Sequence, residues 1–315
     1  MARRRAVAVA APSRFSGELA GRVIRAVLIL AAVLVLAVGG LSAFLLYNIV
    51  TAVNTSETVT PQSSFQSNYV GLSFTDPQGG EHDGWLLVGL KGAPTIILCH
   101  GYNSNRSELL AMGSVLRQNH FNVYLFNFHG PKTRHRYSDL GLWQIEDLKA
   151  AIDKVVKQPG VNPHRVGLFG ITTGGYAALA VAEQNPLVKS LVVDTVYDDP
   201  HEMVEAQVDE ALGGSSKWFR MVPNAGFSLL MMGRKRPSLL AELPKLAGMP
   251  KLFIQGKDSP LLASATEGLY NNAPEPKRLL VLDHTYTALA SGAVKKEYED
   301  QVLNFFLQNL PLRAD

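Results

Sequence analysis

Val166-Gly167-Leu168-Phe169-Gly170-Ile171-Thr172-Thr173-Gly174-Gly175-Tyr176-Ala177-Ala178 decides the fold. An apolar run enters a Gly-x-Thr-x-Gly-Gly turn, and a segment of small residues follows. This predicts a buried strand, a sharp corner and a helix. Glycines on both sides of Thr172 let the chains pass closely at that corner.

Outward from this stretch the pattern repeats. Short apolar runs at 94–99, 122–128, 165–169, 187–193, 251–255 and 278–282 suit strands buried on both faces. Helical patterns lie between them at 107–118, 142–157, 176–184, 263–271 and 294–307. In the last, Val294, Tyr298, Val302, Phe305 and Phe306 share one face. Segments 69–75 and 84–89 read as an opening hairpin. Strands alternating with helices predict an α/β fold with a mostly parallel sheet and right-handed crossovers.

Four landmarks in this order make the chain resemble the α/β-hydrolase superfamily, in particular its bacterial serine-aminopeptidase-like and esterase-like branch. The resemblance runs from Ser67 to the C-terminus. Ile96-Ile97-Leu98-Cys99-His100-Gly101-Tyr102 resembles the strand and His-Gly turn that supply part of the oxyanion hole. Tyr124-Leu125-Phe126-Asn127-Phe128-His129-Gly130 resembles the next strand and its Asp-x-x-Gly turn, with Asn127 for Asp. The corner at Thr172 has the shape of the Gly-x-Ser-x-Gly nucleophile elbow, with threonine in the serine's place. Leu252-Phe253-Ile254-Gln255-Gly256 resembles the strand leading to the acid loop.

The resemblance implies an α/β-hydrolase fold and a nucleophile, acid and histidine in that chain order. It also implies backbone oxyanion donors at Tyr102 and Thr173. All three triad positions depart from the pattern. Thr172 is β-branched at a strained position, and its methyl points where substrate must approach. The acid place, three residues after Gly256, is Ser259, with Asp258 one residue early. The histidine place threads to Tyr286, with His284 two residues earlier. A tyrosine hydroxyl, with an ordinary pKa near 10, is a poor base at neutral pH. Two readings follow. One is a pseudohydrolase that binds a small molecule, a peptide or another partner. The other is an active ester or peptide hydrolase with a displaced Thr172–His284–Asp258 triad.

The alternation of strands and helices breaks over 197–246, and a helical cap over the active-site end is expected there. Within it, apolar Trp218–Met221 and Phe227–Met232 precede basic Arg234, Lys235 and Arg236. A cap helix with a solvated basic end is expected. The alternative is a surface for a lipid-like substrate or an anionic membrane. Of the other histidines, His100 reads as a turn residue that orients backbone. His129 could reach the cavity, and His135, between Arg134 and Arg136, should face solvent. No metal-ligand spacing and no nucleotide-binding loop appears, so neither a metal nor another cofactor is expected. The single cysteine, Cys99, excludes an internal disulfide and reads as a packed thiol.

The net charge of +3 is unevenly spread. Residues 1–25 carry six arginines and one glutamate, +5, and the remainder is −2. A nearly neutral domain argues against a nucleic-acid surface. No charged residue occurs from Ala26 to Ser56, and no Lys or Arg follows until Lys91. This predicts a basic cytoplasmic tail at 1–25 and a transmembrane signal anchor at 26–53. A polar, flexible linker at 54–67 and a hydrolase-like domain at 68–315 follow. The domain should lie outside the cell membrane. A cleaved signal peptide is the alternative, although its apolar core is ordinarily shorter.

Overall fold

The computed structural model describes residues 14–63, 69–130, 137–214, 217–232, 234, 238–286, 289 and 292–312. His135 with its flanking arginines, Lys235, Arg236 and most of the basic tail lie outside the described residues. Contacts divide the chain between Phe44 and Leu45.

Helix α1 (Arg14–Thr51) contains Leu19–Thr51, a run with mean hydropathy 2.7 that is long and apolar enough to cross a bilayer. Leu28, Ile29, Leu30, Leu34 and Leu36 are all exposed. A helical stretch whose apolar side chains are exposed all round fits a membrane span.

From Leu45 onward the chain builds an eight-stranded sheet. The strands are β1 (Tyr69–Gly71), β4 (Gly84–Leu87), β5 (Thr95–Cys99), β6 (Asn122–Phe126), β7 (Val166–Ile171), β8 (Val188–Asp194), β9 (Lys251–Gly256) and β10 (Lys277–Leu282). Their order is β1-β4-β6-β5-β7-β8-β9-β10. The β1–β4 and β4–β6 pairs are antiparallel and all the others parallel. A separate two-stranded hairpin, β2 (Phe74–Thr75) with β3 (Glu81–His82), precedes β4.

Alternation along the strands makes two cores. On β5, Ile96 and Leu98 enter one cluster with Val123, Leu125, Leu116, Tyr298 and Phe306. Ile97 and Cys99 enter the other, with Tyr124, Phe126, Leu148, Ala178 and Leu269. Both sheet faces are therefore covered, and the strands read as unbroken apolar runs. Helices α2 (Leu110–Gln118) and α9 (Ala293–Asn309) supply the first cluster. Helices α3 (Leu142–Val155), α4 (Thr172–Ala182) and α8 (Pro260–Asn272) supply the second.

The break in alternation holds α5 (Pro200–Ala211), α6 (Lys217–Leu230) and α7 (Leu239–Glu242). Asp199 and Glu202 form a capping box at the start of α5. Helix α6 turns Pro223 and Phe227 inward and leaves Trp218, Met221 and Leu229 exposed.

The polar stretch after α1 is held against the domain. Asn54 Nδ2 donates to the Phe128 carbonyl at 2.9 Å, and Asn105 Nδ2 donates to Thr55 Oγ1 at 2.8 Å. Glu57 pairs with Arg106 at 2.8 Å and accepts from Asn127 Nδ2 at 2.6 Å. Composition alone reads this stretch as a solvated spacer. Its side chains instead complete a polar layer beside the turn that follows β5.

Candidate active site

Strand order reverses beside β5. The chain steps from β5 to β6 on one side and then to β7 on the other. In an open α/β sheet the crevice at the carboxyl ends of such strands is where ligands bind. Tyr102 follows β5 and Thr172 follows β7, so both stand at this crevice. A cavity of about 380 Å³ opens there, lined by Tyr102, Thr172, Thr195, Asp258, Ser259 and Thr285 among others. Larger depressions among the described residues, of about 430, 660 and 680 Å³, are lined by neither Thr172 nor Tyr102.

Thr172 has φ +44°, a left-handed conformation that a β-branched residue rarely adopts. The elbow strain is thus present although serine is not. Such a residue typically costs about 1–3 kcal/mol, which the surrounding structure must offset. The Thr172 hydroxyl accepts a hydrogen bond from the Tyr102 N–H at 3.0 Å. That backbone donor is the one expected to face an oxyanion, and here it holds the side chain at the nucleophile position. Thr173 is buried in the first turn of α4, where backbone N–H groups lack intrahelical partners. The Tyr102 hydroxyl donates to the Ile49 carbonyl at 2.9 Å, which fixes the turn from behind.

The loop after β9 brings Asp258 beside the loop after β10. Its carboxylate accepts from the Thr285 N–H at 3.0 and 3.2 Å, and the Thr285 hydroxyl lies 3.4 Å from Oδ2. Ser259 also lines the cavity and stands as the residue before α8.

The loop after β10 differs from the threaded expectation. Tyr286 does not face Thr172. Its ring is 1% exposed, packs on Tyr298 with centroids 5.1 Å apart, and its hydroxyl donates to Glu299 Oε1 at 2.8 Å. Burial, then the Glu299 charge, pushes its pKa well above the ordinary tyrosine value. Tyr286 is a core residue on the α9 side of the sheet. His284 does not line the cavity either. Its side chain is 56% exposed, with Nδ1 3.7 Å from Asp258 Oδ2. Among the described residues of this loop, the one that lines the cavity with Thr172 is Thr285, which sequence reasoning missed. Three successive residues therefore point to solvent, cavity and core.

Asp194 sets that arrangement from below. Its carboxylate accepts from Tyr286 N at 3.1 Å, Tyr298 Oη at 2.7 Å and Thr195 Oγ1 at 2.7 Å. Burial pushes its pKa up to about 6, against these hydrogen bonds. Replacing Tyr286 by Phe removes the hydroxyl donor to the buried Glu299 carboxylate. Tyr286→Phe should lose about 1–3 kcal/mol of stability, read as a lowered urea midpoint, and should leave cavity chemistry unchanged.

None of the other described histidines lines the cavity. His100 Nε2 accepts from Phe128 N at 3.1 Å, and burial holds its pKa down at about 4. It is neutral and orients backbone. His129 stands with His82, Asp76 and Asp147 in a second cluster. Burial pushes the Cys99 thiol far up, as fits a packed residue. Among the described cavity residues the ionisable groups are therefore Tyr102, Asp258, Glu108 and Glu210, and none is an imidazole. Glu108 is engaged by Ser104 Oγ at 2.7 Å and Thr55 Oγ1 at 3.0 Å.

Comparison with known proteins agrees with this architecture. The model of the alpha/beta hydrolase fold family matches residues 94–272. The uncharacterized protein YfhR of Escherichia coli O157:H7 is 28% identical over 249 residues, which cover 76% of this chain and 81% of that protein. The esterase Pf2001 of Pyrococcus furiosus superposes with a TM-score of 0.61 at 18% identity, over 82% of this chain and 98% of that one. A dienelactone hydrolase of Anabaena variabilis gives 0.57 at 19% identity, over 78% of this chain and 99% of that one. At such identities the structural likeness speaks for the fold alone. With the elbow, the crevice and the matched stretch in agreement, the chain belongs to the α/β-hydrolase family.

Proposed function

We propose that this chain is a membrane-anchored pseudohydrolase, which uses the cavity around Thr172 to bind a small molecule, a peptide or a partner without cleaving it. One observation carries the reading. Among the described residues, the loop after β10 lines the cavity with Thr285, whose backbone N–H and hydroxyl both lie at Asp258, where a hydrolase needs an imidazole. Nucleophile and base are then both hydroxyls, and neither can take the other's proton at neutral pH. The apolar run of α1 supplies the anchor, and the arginines before it favour a domain outside the cytoplasmic membrane.

The test uses the full chain in detergent micelles. A fluorophosphonate probe should give no labelling above a heat-denatured control, and p-nitrophenyl esters should turn over at background rate. A second reading has a specific observation behind it, the approach of His284 to Asp258 at 3.7 Å. If the loop closes on substrate, His284 could serve Thr172 as base. Ester hydrolysis by the unaltered chain that His284→Ala abolishes would replace the first reading with this one. Protease added to spheroplasts should digest the domain, and full protection there would overturn the orientation.

A further inference from the structure

A second set of ionisable side chains lies apart from the cavity, where the small hairpin meets α3. Asp76 is in the turn between β2 and β3, His82 is on β3, His129 follows β6, and Asp147 is on α3. Each offers one ligand atom, and these atoms all lie within 4.8 Å of one another. Asp76, His82 and Asp147 are buried, and the His129 side chain is 13% exposed. None of the four lines the cavity at Thr172.

The contacts around the cluster orient it inward. Asp76 Oδ1 accepts from the N–H groups of Gln78 at 2.7 Å and Gly80 at 2.9 Å, while Oδ2 faces the two imidazoles. Asp147 Oδ2 accepts from His129 N at 3.1 Å, while Oδ1 faces them too. Each carboxylate thus has one oxygen fixed by backbone and one turned to the centre. His82 Nδ1 lies 2.9 Å from the Asn127 carbonyl oxygen. A carbonyl only accepts, so Nδ1 carries the hydrogen, and Nε2 of the neutral ring is a bare lone pair. Stacking on Phe74, with centroids 4.4 Å apart, holds the ring in place. That lone pair faces carboxylate oxygens at 3.2 and 3.6 Å, an arrangement that repels unless a proton or a cation stands between.

The four nitrogen–oxygen separations are 3.6, 3.2, 3.2 and 3.7 Å, and the nitrogen–nitrogen and oxygen–oxygen separations lie within 4.8 Å. Zinc bonds of about 2.0–2.2 Å place the corners of a tetrahedron roughly 3.3–3.6 Å apart. We propose that Asp76, His82, His129 and Asp147 bind one zinc ion in a closed structural site that ties the β2–β3 hairpin to α3 and to the end of β6. Two carboxylates balance the charge of a divalent ion. Two nitrogens with two oxygens suit zinc, whereas magnesium and calcium take six or more oxygen ligands. Four protein ligands leave no open position for substrate, which separates this site from catalysis. Backbone partners on His82, Asp76 and Asp147 are the outer contacts that orient metal ligands. The hairpin gains most, since strands of two residues each cannot hold themselves.

The competing account places protons on the imidazoles. Burial opposes a charge on His82, but Asp147 and Asp76 favour it, and the balance raises its pKa. Metal analysis separates the two. The full chain, purified in detergent without a polyhistidine tag, should contain about one zinc per chain and lose it only to a strong chelator. Cobalt loaded into the stripped chain should show the intense visible bands of tetrahedral coordination. Stripping should lower the melting temperature, and added zinc should restore it. Asp147→Asn and His129→Gln keep the side-chain shapes. Each should weaken zinc affinity by about 10- to 100-fold or more and abolish the zinc-dependent rise in melting temperature. The proposal fails if the unaltered chain neither contains nor takes up zinc and melts identically with and without chelator. It fails equally if both variants bind zinc as the unaltered chain does. Should a variant not fold, zinc content and the cobalt spectrum of the unaltered chain decide the matter.

Discussion

Thr172→Ser combined with Thr285→His is expected to acquire fluorophosphonate labelling that neither change gives alone. Serine removes the methyl at a position whose φ of +44° crowds a β-branched side chain. Histidine at 285 would enter the cavity beside Asp258, whose carboxylate already lies 3.0 Å from the backbone N–H of that residue. On the proposed reading Asp258 would then orient that imidazole, and the Tyr102 N–H, which now holds the Thr172 hydroxyl, would face an oxyanion once that hydroxyl turns away. Members of a triad act as a unit, so repairing one of two missing groups recovers almost nothing. Restoring both should raise the labelling rate by on the order of 10²–10⁴-fold, the range that a positioned general base supplies. Tyr286→His should fail where Thr285→His succeeds, because position 286 packs against Tyr298 and Glu299 in the core. Labelling by the Thr172→Ser, Tyr286→His pair instead, with none from the Thr285→His pair, would show that the loop is registered differently.

That one-residue difference marks how far the sequence could be read. The strands, their mostly parallel pairing and the elbow were legible because buried parallel strands are short apolar runs and the elbow needs its glycines. The candidate loops were also legible, since each follows a strand at the same end of the sheet. Which residue of a loop faces the cavity was not. Neighbouring residues in extended chain face opposite ways, so an error of one at Thr285 exchanges a cavity residue for a core residue. Asp258 illustrates the converse, since loop conformation brings it to Thr285 although its count from Gly256 is one short. The stretch 54–58 misled by composition, because Asn and Glu side chains serve a polar seam as readily as solvent. The Asp76–His82–His129–Asp147 cluster had no local signature. Its members are spread over 72 positions, in the β2–β3 hairpin, after β6 and on α3, and meet only when these come together.

Gly174→Ala should be strongly damaging, and it separates the elbow's fold from its chemistry. A Cβ at Gly174 would lie 2.3 Å from the His100 carbonyl oxygen and 2.5 Å from that of Cys99. Both are backbone atoms at the end of β5, so no side chain can swing aside. Relief requires the start of α4 to move away from β5, and the two elements carry Thr172 and Tyr102. Such overpacking against backbone in a buried site should cost about 4 kcal/mol or more, beyond the usual range for point changes. Gly101→Ala offers the contrast within the same crevice. Its Cβ would meet Thr172 Oγ1 at 2.7 Å, a side-chain atom, with the next contact at 3.4 Å. The Thr172 hydroxyl can rotate away from the Tyr102 N–H, so the domain should fold with a loss of roughly 1–2 kcal/mol. Urea midpoints of the two variants in detergent measure both effects. Equal midpoints would mean that β5 and α4 do not approach as closely as the Gly174 contacts require. In that case the hydrogen bond between Tyr102 and Thr172 could not be the feature that holds the hydroxyl in the oxyanion turn.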